Sequence, residues 1–203
     1  MFRWVTKAPP WAGPMRVDTP VLLRDATASD AAAIGEVHAA AWQVAYRDLF
    51  EASWLNTFVE IRRSQWESRM IAPGFAKATL LVAVRGDRVC AFAYFGPHTI
   101  RSRDGEIYGF YAHPTVWGTG VAAALMNGAW DLLVDGGYPT VRLWTLAGAN
   151  RARRFYRRFG FEESGNIRER DFGDGRPVLE IEYRRSTGNY RVRPPTRRES
   201  PAT

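Results

Sequence analysis

HPTVWGTGVAAALMNGAWDLLVDGG (residues 113–137) places two glycines, Gly118 and Gly120, immediately before apolar residues at helical spacing. GEIYGFYA (105–112) precedes the turn and TVRLWTL (140–146) follows the helix, and both have strand composition. The free N–H groups at a helix N-terminus, together with the helix dipole, favour an anion. The pattern therefore predicts either a phosphate site or a plain turn in which the glycines only relieve crowding.

The rest of the chain continues the alternation of strands and helices. Strands are predicted at 21–27, at 79–84 and 89–95 around a Gly-Asp turn, and at 160–164 and 176–184. Helices are predicted after a cap near Ser29 or Asp30, at about 56–71, and over 150–159, where Gly160 ends the helix. The order β-α-α-β-β-β-α-β-α-β-β predicts an α/β (α+β) fold, a mixed sheet with helices on both faces.

Length and composition predict one domain. The chain has 203 residues, 46% of them hydrophobic, and its longest nearly uninterrupted apolar run, VCAFAYF, is too short to cross a bilayer. Its only cysteine, Cys90, lies in that run and is expected to be buried and inert. Residues 1–19 do not resemble a secretory signal, so we expect a flexible extension and a cytoplasmic protein.

The net charge of +7 is concentrated partly at the C-terminus, where six arginines lie among prolines in the last twenty residues. We expect a flexible basic tail over 186–203, which leaves the domain at 20–185. Nucleic-acid binding by this tail is the less favoured interpretation, and no membrane partner is expected. His38, His98 and His113 lack metal-ligand spacing, so no metal is expected.

GTGVAA (118–123) fits the loose dinucleotide pattern G-x-G-x-x-G/A, but its context does not. At least three strands precede the turn, and the strand after the helix ends without the acidic residue that would hold a ribose. No Gly-Lys-Ser/Thr follows, which excludes a P-loop. A pyrophosphate held by backbone N–H groups is the remaining ligand hypothesis.

The glycine turn and a second stretch further along the chain resemble motifs of a known family, the GNAT-type N-acetyltransferases. The hexapeptide WGTGVA (117–122) resembles their cofactor turn R/Q-x-x-G-x-G/A, and NRARRFYRRFGF (150–161) is similar to their N-x-x-A-x-x-F/L-Y-x-x-x-G-F signature. The resemblance covers about residues 20–185. Trp117 departs from it, since the family prefers Arg or Gln there, and Arg153 or Arg158 could supply the missing cation.

The resemblance implies an acetyl-CoA-dependent enzyme whose co-substrate lies between splayed strands 105–112 and 140–146. It implies these cofactor-binding residues: Tyr111, Ala112, His113, Trp117, Gly118, Thr119, Gly120, Val121, Ala122, Asn150, Arg153, Phe155 and Tyr156. Tyr156 matches the family tyrosine that faces the thioester sulfur, and a phenol is a reasonable proton donor to a thiolate. The alternative is a core tyrosine.

Glu106 is the candidate base that would deprotonate the amine; a solvated strand end is the alternative, and Tyr108 could replace it. In this fold the acceptor site usually lies between the first two helices and the last hairpin. That region carries four aromatic residues, Trp42, Tyr46, Phe50 and Trp54, with Asp48 and Glu51 among them. If these face the pocket, they favour a small amine with an apolar body. Peptide acetylation, a non-catalytic CoA-binding module and a homodimer stay open.

Overall fold

The computed structural model describes residues 19–101 and 103–188, which form seven strands and five α-helices. The predicted extension at 1–18 and the tail at 189–203 lie outside the described residues. In chain order the elements are β1 Val21–Asp25, α1 Ala31–Ala45, α2 Ala52–Ser64, α3 Trp66–Met70, β2 Thr79–Arg85, β3 Arg88–Pro97, β4 Gly105–Ala112, α4 Val121–Asp135, β5 Thr140–Leu146, α5 Asn150–Arg158, β6 Glu162–Arg170 and β7 Val178–Ser186. Short 3₁₀ turns cover Ala28–Asp30, Pro73–Lys77 and Pro114–Val116.

All seven strands form one mixed sheet in the order β1-β2-β3-β4-β5-β7-β6. β4 and β5 pair in parallel, and every other neighbouring pair is antiparallel. Two differences from the prediction are local: the second helix is divided at Gln65 into α2 and α3, and β6 continues to Arg170. The predicted mixed sheet with helices on both faces is confirmed.

Period-two alternation along β2 explains why both faces of the sheet are covered. Leu81 and Ala83 pack in one core cluster with the apolar face of α4, while Leu80, Val82 and Val84 pack in another with α1 and Trp66. Successive side chains of a strand point to opposite faces, so a continuous apolar run needs a helix on each side. Cys90 is buried in the α4-side cluster, where burial raises the pKa of its thiol, as expected of an inert cysteine.

The sheet is split beside its only parallel pair. β4 and β5 are paired only where Gly105–Ile107 meets Val141–Leu143. Next to this point the β3–β4 register shifts: Ile107 lies opposite Phe95 and Gly109 opposite Tyr94, which makes Tyr108 the extra residue of a bulge. The remainder of β4, residues 108–112, therefore presents an edge that β5 does not cover.

Among the described residues, no helix has the length and apolar character needed to span a membrane.

Candidate active site

The glycine turn lies at the open end of β4 and leads into α4. Gly118 has φ +82° and Gly120, which caps α4, has φ +87°, both in the left-handed region that favours glycine. A Cβ at either position would meet no atom within 4 Å. These glycines therefore do not relieve crowding; they give the turn its conformation and leave open space in front of it.

Backbone donors at the start of α4 lie next to this open space. The Ala124 N–H donates to Gly120 O at 2.9 Å and closes the first turn of α4. The N–H groups before it lack intrahelical acceptors, as at any helix start. Below the turn, Arg85 of β2 is buried and donates to the Thr119 carbonyl and hydroxyl oxygens, each at 3.4 Å. Sequence reasoning missed Arg85, because a charged residue at a strand end is ordinarily solvated.

A cleft of about 750 Å³, here called the turn-side cleft, runs from the glycine turn along the open edge of β4 to α5. Most of the predicted cofactor residues line it: Tyr111, Ala112, Trp117, Gly118, Gly120, Ala122, Asn150, Phe155 and Tyr156. The structure thus brings the two sequence motifs together on one cavity.

Four predicted cofactor residues lie beside this cleft rather than on its lining. Val121 is fully buried in the core, and the Thr119 hydroxyl donates to Val116 O at 2.8 Å. His113 Nδ1 is 2.7 Å from the Thr115 hydroxyl, so it closes a local turn. Arg153 points to the other side of α5, where its guanidinium contacts Glu163 Oε1 at 2.9 Å.

Arg153 therefore does not compensate for Trp117 in the way the sequence suggested. It also donates to Ala147 O at 2.8 Å and to the Tyr183 hydroxyl at 3.2 Å, so its donors are engaged within the fold. Arg158, the other cation that the sequence suggested, does line the cleft, together with Arg151 and Arg154 of the same helix.

Trp117 positions one of these arginines, Arg151. Its Nε1 donates to Ala112 O at 2.8 Å, and its ring carries the Arg151 guanidinium at 4.3 Å from the ring centroid. A cation over the face of an indole is a favourable contact. The indole thus holds a cation beside the turn from which the family cation is missing.

Tyr156 projects from α5 into the inner part of the cleft. Its ring packs in the core and the residue is only 7% exposed, yet its hydroxyl has no hydrogen-bond partner among the described residues. Burial, with a smaller contribution from Tyr111, raises the pKa of Tyr156 well above its usual value. The phenol therefore stays protonated at neutral pH and has a hydrogen bond to give.

A second cavity of about 290 Å³, here called the aromatic cavity, lies between α1–α3 and the strands on the other side of the gap. Both cavities are lined by the same residues at the gap, namely Tyr46, Ile107, Tyr108, Gly109, Tyr111, Trp144 and Thr145. The two spaces therefore meet where β4 and β5 separate, and a group that occupies this gap can be reached from both sides.

Glu106 lines the aromatic cavity close to this junction. Its side chain is 15% exposed, and burial raises its pKa, although His98 and Arg168 act in the opposite direction. His98 Nε2 lies 4.0 Å from Glu106 Oε2, while its Nδ1 accepts the backbone N–H groups of Ile100 and Arg101, both at 3.1 Å. An Nδ1 that accepts leaves the proton of neutral His98 on Nε2, facing Glu106.

Tyr108 is less suited to act as the base than Glu106. Its hydroxyl donates to Pro97 O, and burial raises its pKa to about 12. His98 is a neighbour of Glu106 that the sequence did not identify, because the loop 98–104 separates the two residues along the chain.

Only part of the predicted acceptor cluster lines the aromatic cavity. Trp42 and Tyr46 do, whereas Phe50 and Trp54 stack on each other 4.9 Å apart behind it. Asp48 is exposed, and Glu51 pairs with Arg176. The carboxylates on the cavity wall are instead Glu106 and Glu180, together with four arginines: Arg62, Arg69, Arg168 and Arg170.

Among the described residues, no group of His, Cys, Asp and Glu side chains could hold a metal ion. The site thus consists of a backbone anion turn, a split sheet, a protonated phenol on one side of the split and a partly desolvated carboxylate on the other. Such a site can hold an anionic carrier in one cavity and present the carried group to a second molecule in the other.

Comparison with known proteins agrees with this class of site. Residues 40–161, more than half of the chain, match the acetyltransferase (GNAT) family. The chain belongs to this family.

Two individual proteins are similar to this chain at low to moderate sequence identity. The chain is 34% identical over 107 residues to the mycothiol acetyltransferase of Brachybacterium faecium, a match that covers 52% of this chain but only 32% of that protein. It is 26% identical over 171 residues to an uncharacterised N-acetyltransferase of Bacillus subtilis, covering 78% of this chain and 94% of the relative.

A solved structure shares the fold. The PaiA N-acetyltransferase of Thermoplasma acidophilum in complex with coenzyme A superposes with a TM-score of 0.65, covering 80% of this chain and 98% of that one at 15% identity. At this identity the likeness shows a common fold.

Proposed function

We propose that the protein transfers the acetyl group of acetyl-CoA to the primary amine of a small molecule or peptide. One observation carries the proposal: Tyr156 and Glu106 line opposite cavities that meet at the gap between β4 and β5. Family membership and the coenzyme A complex of the PaiA structure support it.

The turn-side cleft fits acetyl-CoA in shape and in chemistry. The N–H groups at the start of α4 would bind the pyrophosphate, with cations on α5 and Arg85 beneath the turn adding positive potential. The open edge of β4 would hold the pantetheine arm. His113 N–H donates to Cys90 O in β3, so strand alternation turns the backbone of the preceding residue, Ala112, toward the gap.

Glu106 has the placement of a general base. When bound, acetyl-CoA supplies an electrophilic carbonyl and a thiol leaving group. The raised pKa brings Glu106 closer to the range in which a carboxylate takes a proton from an ammonium group efficiently. His98 Nε2 lies 4.0 Å from Glu106 Oε2, too far for a direct hydrogen bond, and acts on this carboxylate as an electrostatic neighbour.

Tyr156 has the placement of the acid. As the C–S bond breaks and the C–N bond forms, its hydroxyl donates to the sulfur and stabilises the developing negative charge. The ammonium loses two protons overall: one leaves through Glu106 to solvent, and the other ends on the sulfur by way of Tyr156. The products are an acetamide and free CoA thiol.

Calorimetric titration and a turnover assay test the proposal together. Acetyl-CoA should bind to both the natural chain and Tyr156→Phe, because the ring and the turn are retained. Thiol release with a panel of small amines and peptides should fall about 100-fold or more in Tyr156→Phe, the range for loss of a positioned acid.

Three results would contradict the assignment. Absence of acetyl-CoA binding would leave the glycine turn as plain architecture. Equal turnover by the natural chain and Tyr156→Phe would make Tyr156 a core residue, and binding without turnover on any acceptor would favour a CoA-binding module. A cytoplasmic location and a homodimer stay predictions.

A further inference from the structure

The aromatic cavity contains two arginines with no carboxylate partner. Arg62 of α2 and Arg69 of α3 both line it, and neither forms an ion pair with any described residue. Arg62 Nε is buried and makes no hydrogen bond, and the only side-chain acceptor of Arg62, Gln65 Oε1, lies at 3.5 Å. Half-buried cations without counter-ions are costly, so their common orientation toward one cavity needs an explanation.

The other charged groups of the cavity do not neutralise this pair. Glu180 is bonded by Arg168 at 2.6 Å and lies 3.6 Å from Arg170, which satisfies that carboxylate. Glu106 lies beside His98. The cavity therefore has one wall with a surplus of positive charge and, at the gap, one carboxylate that no arginine holds.

Aromatic rings fix the direction of the two guanidinium groups. The Arg62 guanidinium lies over the rings of Trp42 and Phe58, at 4.9 and 4.3 Å from their centroids. Arg69 lies over Trp66 and Tyr94, at 5.3 and 5.0 Å. A stacked guanidinium keeps its in-plane N–H groups free for an acceptor, which is how arginine recognises carboxylates and phosphates.

From this arrangement we propose that the acceptor is a small amine that also carries an anionic group, a carboxylate or a phosphate. Arg62 and Arg69 bind the anion, the partly buried rings of Tyr94 and Tyr108 contact the body of the molecule, and the amine lies at the gap beside Glu106. The proposal rests on the proposed function, whose acceptor class it specifies. A volume of about 290 Å³ suits a molecule the size of an aromatic amino acid better than a long peptide.

The electrostatics of neighbouring groups agree. Burial lowers the pKa of His38, and the positive charges of Arg62 and Arg69 lower it further. Burial likewise lowers the pKa of Arg62, with Arg170 and Arg69 contributing in the same direction. The cavity therefore has a positive potential that an anionic group would relieve.

Binding of amine-free probes tests the anion site apart from catalysis. Phenylacetate, phenyl phosphate and the neutral phenylacetamide are titrated by calorimetry into the natural chain, Arg62→Met, Arg69→Met and Arg184→Met, the last being an exposed arginine of β7 outside the cavity. We expect the better anion to bind at least about tenfold more tightly than the amide, a preference that is lost in Arg62→Met and Arg69→Met and kept in Arg184→Met. Which anion binds better distinguishes a carboxylate from a phosphate acceptor.

Turnover of matched amines completes the test. If phenylacetate is the better anion, tyrosine should exceed tyramine in kcat/KM in the natural chain but not in Arg62→Met; if phenyl phosphate is the better anion, an amine that carries a phosphate should show the same advantage over tyramine. The affinity for acetyl-CoA stays unchanged in all variants. Equal binding of the amide and both anions, or an anion preference that survives in Arg62→Met and Arg69→Met, would overturn the proposal. If the anions bind as expected but no amine is acetylated, the anion site stands and the proposed transfer reaction fails.

Discussion

At the scale of single residues, burial decides what Glu106 can do. A carboxylate at a strand start is ordinarily solvated, but this one lies in the wall of the aromatic cavity, where burial raises its pKa. A group whose pKa is higher in the folded chain than in the unfolded chain stabilises the fold at low pH, and this contribution is lost as pH rises through the folded-state pKa. Ionised Glu106 therefore lowers the free energy of unfolding at neutral pH. The same burial gives the gap a carboxylate that takes up a proton more readily than a solvated one.

Glu106→Gln should therefore lower activity and raise stability at the same time. We expect kcat/KM to fall by about 100-fold. The Tm should exceed that of the natural chain at pH 7, because glutamine carries no charge to desolvate, and the difference should shrink as pH falls towards the ordinary glutamate pKa of about 4.3. Thermal melts and initial rates over pH 4–8 measure both effects.

Glu162→Gln, an exposed carboxyl at the start of β6, serves as the control and should change neither quantity. A variant Glu106→Gln that loses activity without any gain in Tm would show that the carboxylate is solvated in the fold and that the stability argument is wrong.

At the scale of elements, the turn from β4 to α4 depends on two left-handed glycines. An L side chain in that conformation costs about 1–2 kcal/mol, and at Gly120 the cost falls on the residue that caps α4. A methyl group at Gly120 would meet no protein atom within 4 Å, so it would enter the open space in which we propose that the phosphate binds.

Gly120→Ala should consequently weaken acetyl-CoA binding by more than its loss of stability explains. We expect Kd to rise about tenfold or more, because the added methyl displaces the anion from the N–H groups. Gly86→Ala is the matched control: Gly86 also has positive φ (+64°) and open surroundings, but it lies in the β2–β3 hairpin. Calorimetry should show a similar loss of Tm in both variants and an unchanged Kd in Gly86→Ala; equal affinities would mean that the turn does not contact the ligand.

The turn and α5 were readable from sequence because their signals are local. Glycine spacing, the helical period and the stop at Gly160 lie within short windows, and these elements form within a few residues of the predicted bounds. Which side chains of α5 point toward the cleft could not be predicted equally well. The sequence suggested Arg153 or Arg158 as the phosphate cation. Arg158 lines the cleft, whereas Glu163 and Tyr183, both outside α5, hold Arg153 on the far side of the helix.

At the scale of the whole molecule, the aromatic cavity could not be predicted because its wall is assembled from distant segments. α2, α3, β4, β6 and β7 each contribute one or two of its charged residues, and Glu106 lies far along the chain from both the Arg62–Arg69 pair and the Arg168–Arg170 pair. Closeness in sequence also gave a wrong expectation for two acidic residues. Asp48 and Glu51 follow the aromatic residues of α1 along the chain, but their side chains are exposed.

A buried polar network crosses the join of the two halves of the sheet. Glu182 of β7 is 1% exposed and accepts from Arg142 of β5 at 3.1 Å, and from Ser164 and Asn166 of β6 at 2.5 and 2.7 Å. Arg142 in turn reaches Asp104, just before β4, at 2.6 Å. Since β4 and β5 share only three paired positions, this chain of contacts supplements the backbone bonds that hold the halves together.

Glu182→Gln should therefore destabilise the whole domain. Removing one charge of a buried pair costs about 3–5 kcal/mol, and the lower end is expected because Asp104 still pairs with Arg142. Burial alone would raise the pKa of Glu182, but the bonds from Ser164 and Asn166 and the charge of Arg142 lower it overall. A lowered pKa gives stability that is present above the ordinary glutamate pKa and lost as pH falls through the folded-state value, so the deficit of the variant should shrink in acid.

Urea unfolding of Glu182→Gln and Glu163→Gln between pH 3 and pH 7 separates burial from pairing. Glu163 of β6 also contacts two arginines and a tyrosine hydroxyl, and these contacts lower its pKa to about 2. Unlike Glu182, however, its side chain is 41% exposed. Solvent screens such a pair, so we expect a clearly smaller loss at pH 7. Equal losses in the two variants would show that the number of partners, rather than the burial of Glu182 at the join of the sheet, sets the stability of the domain.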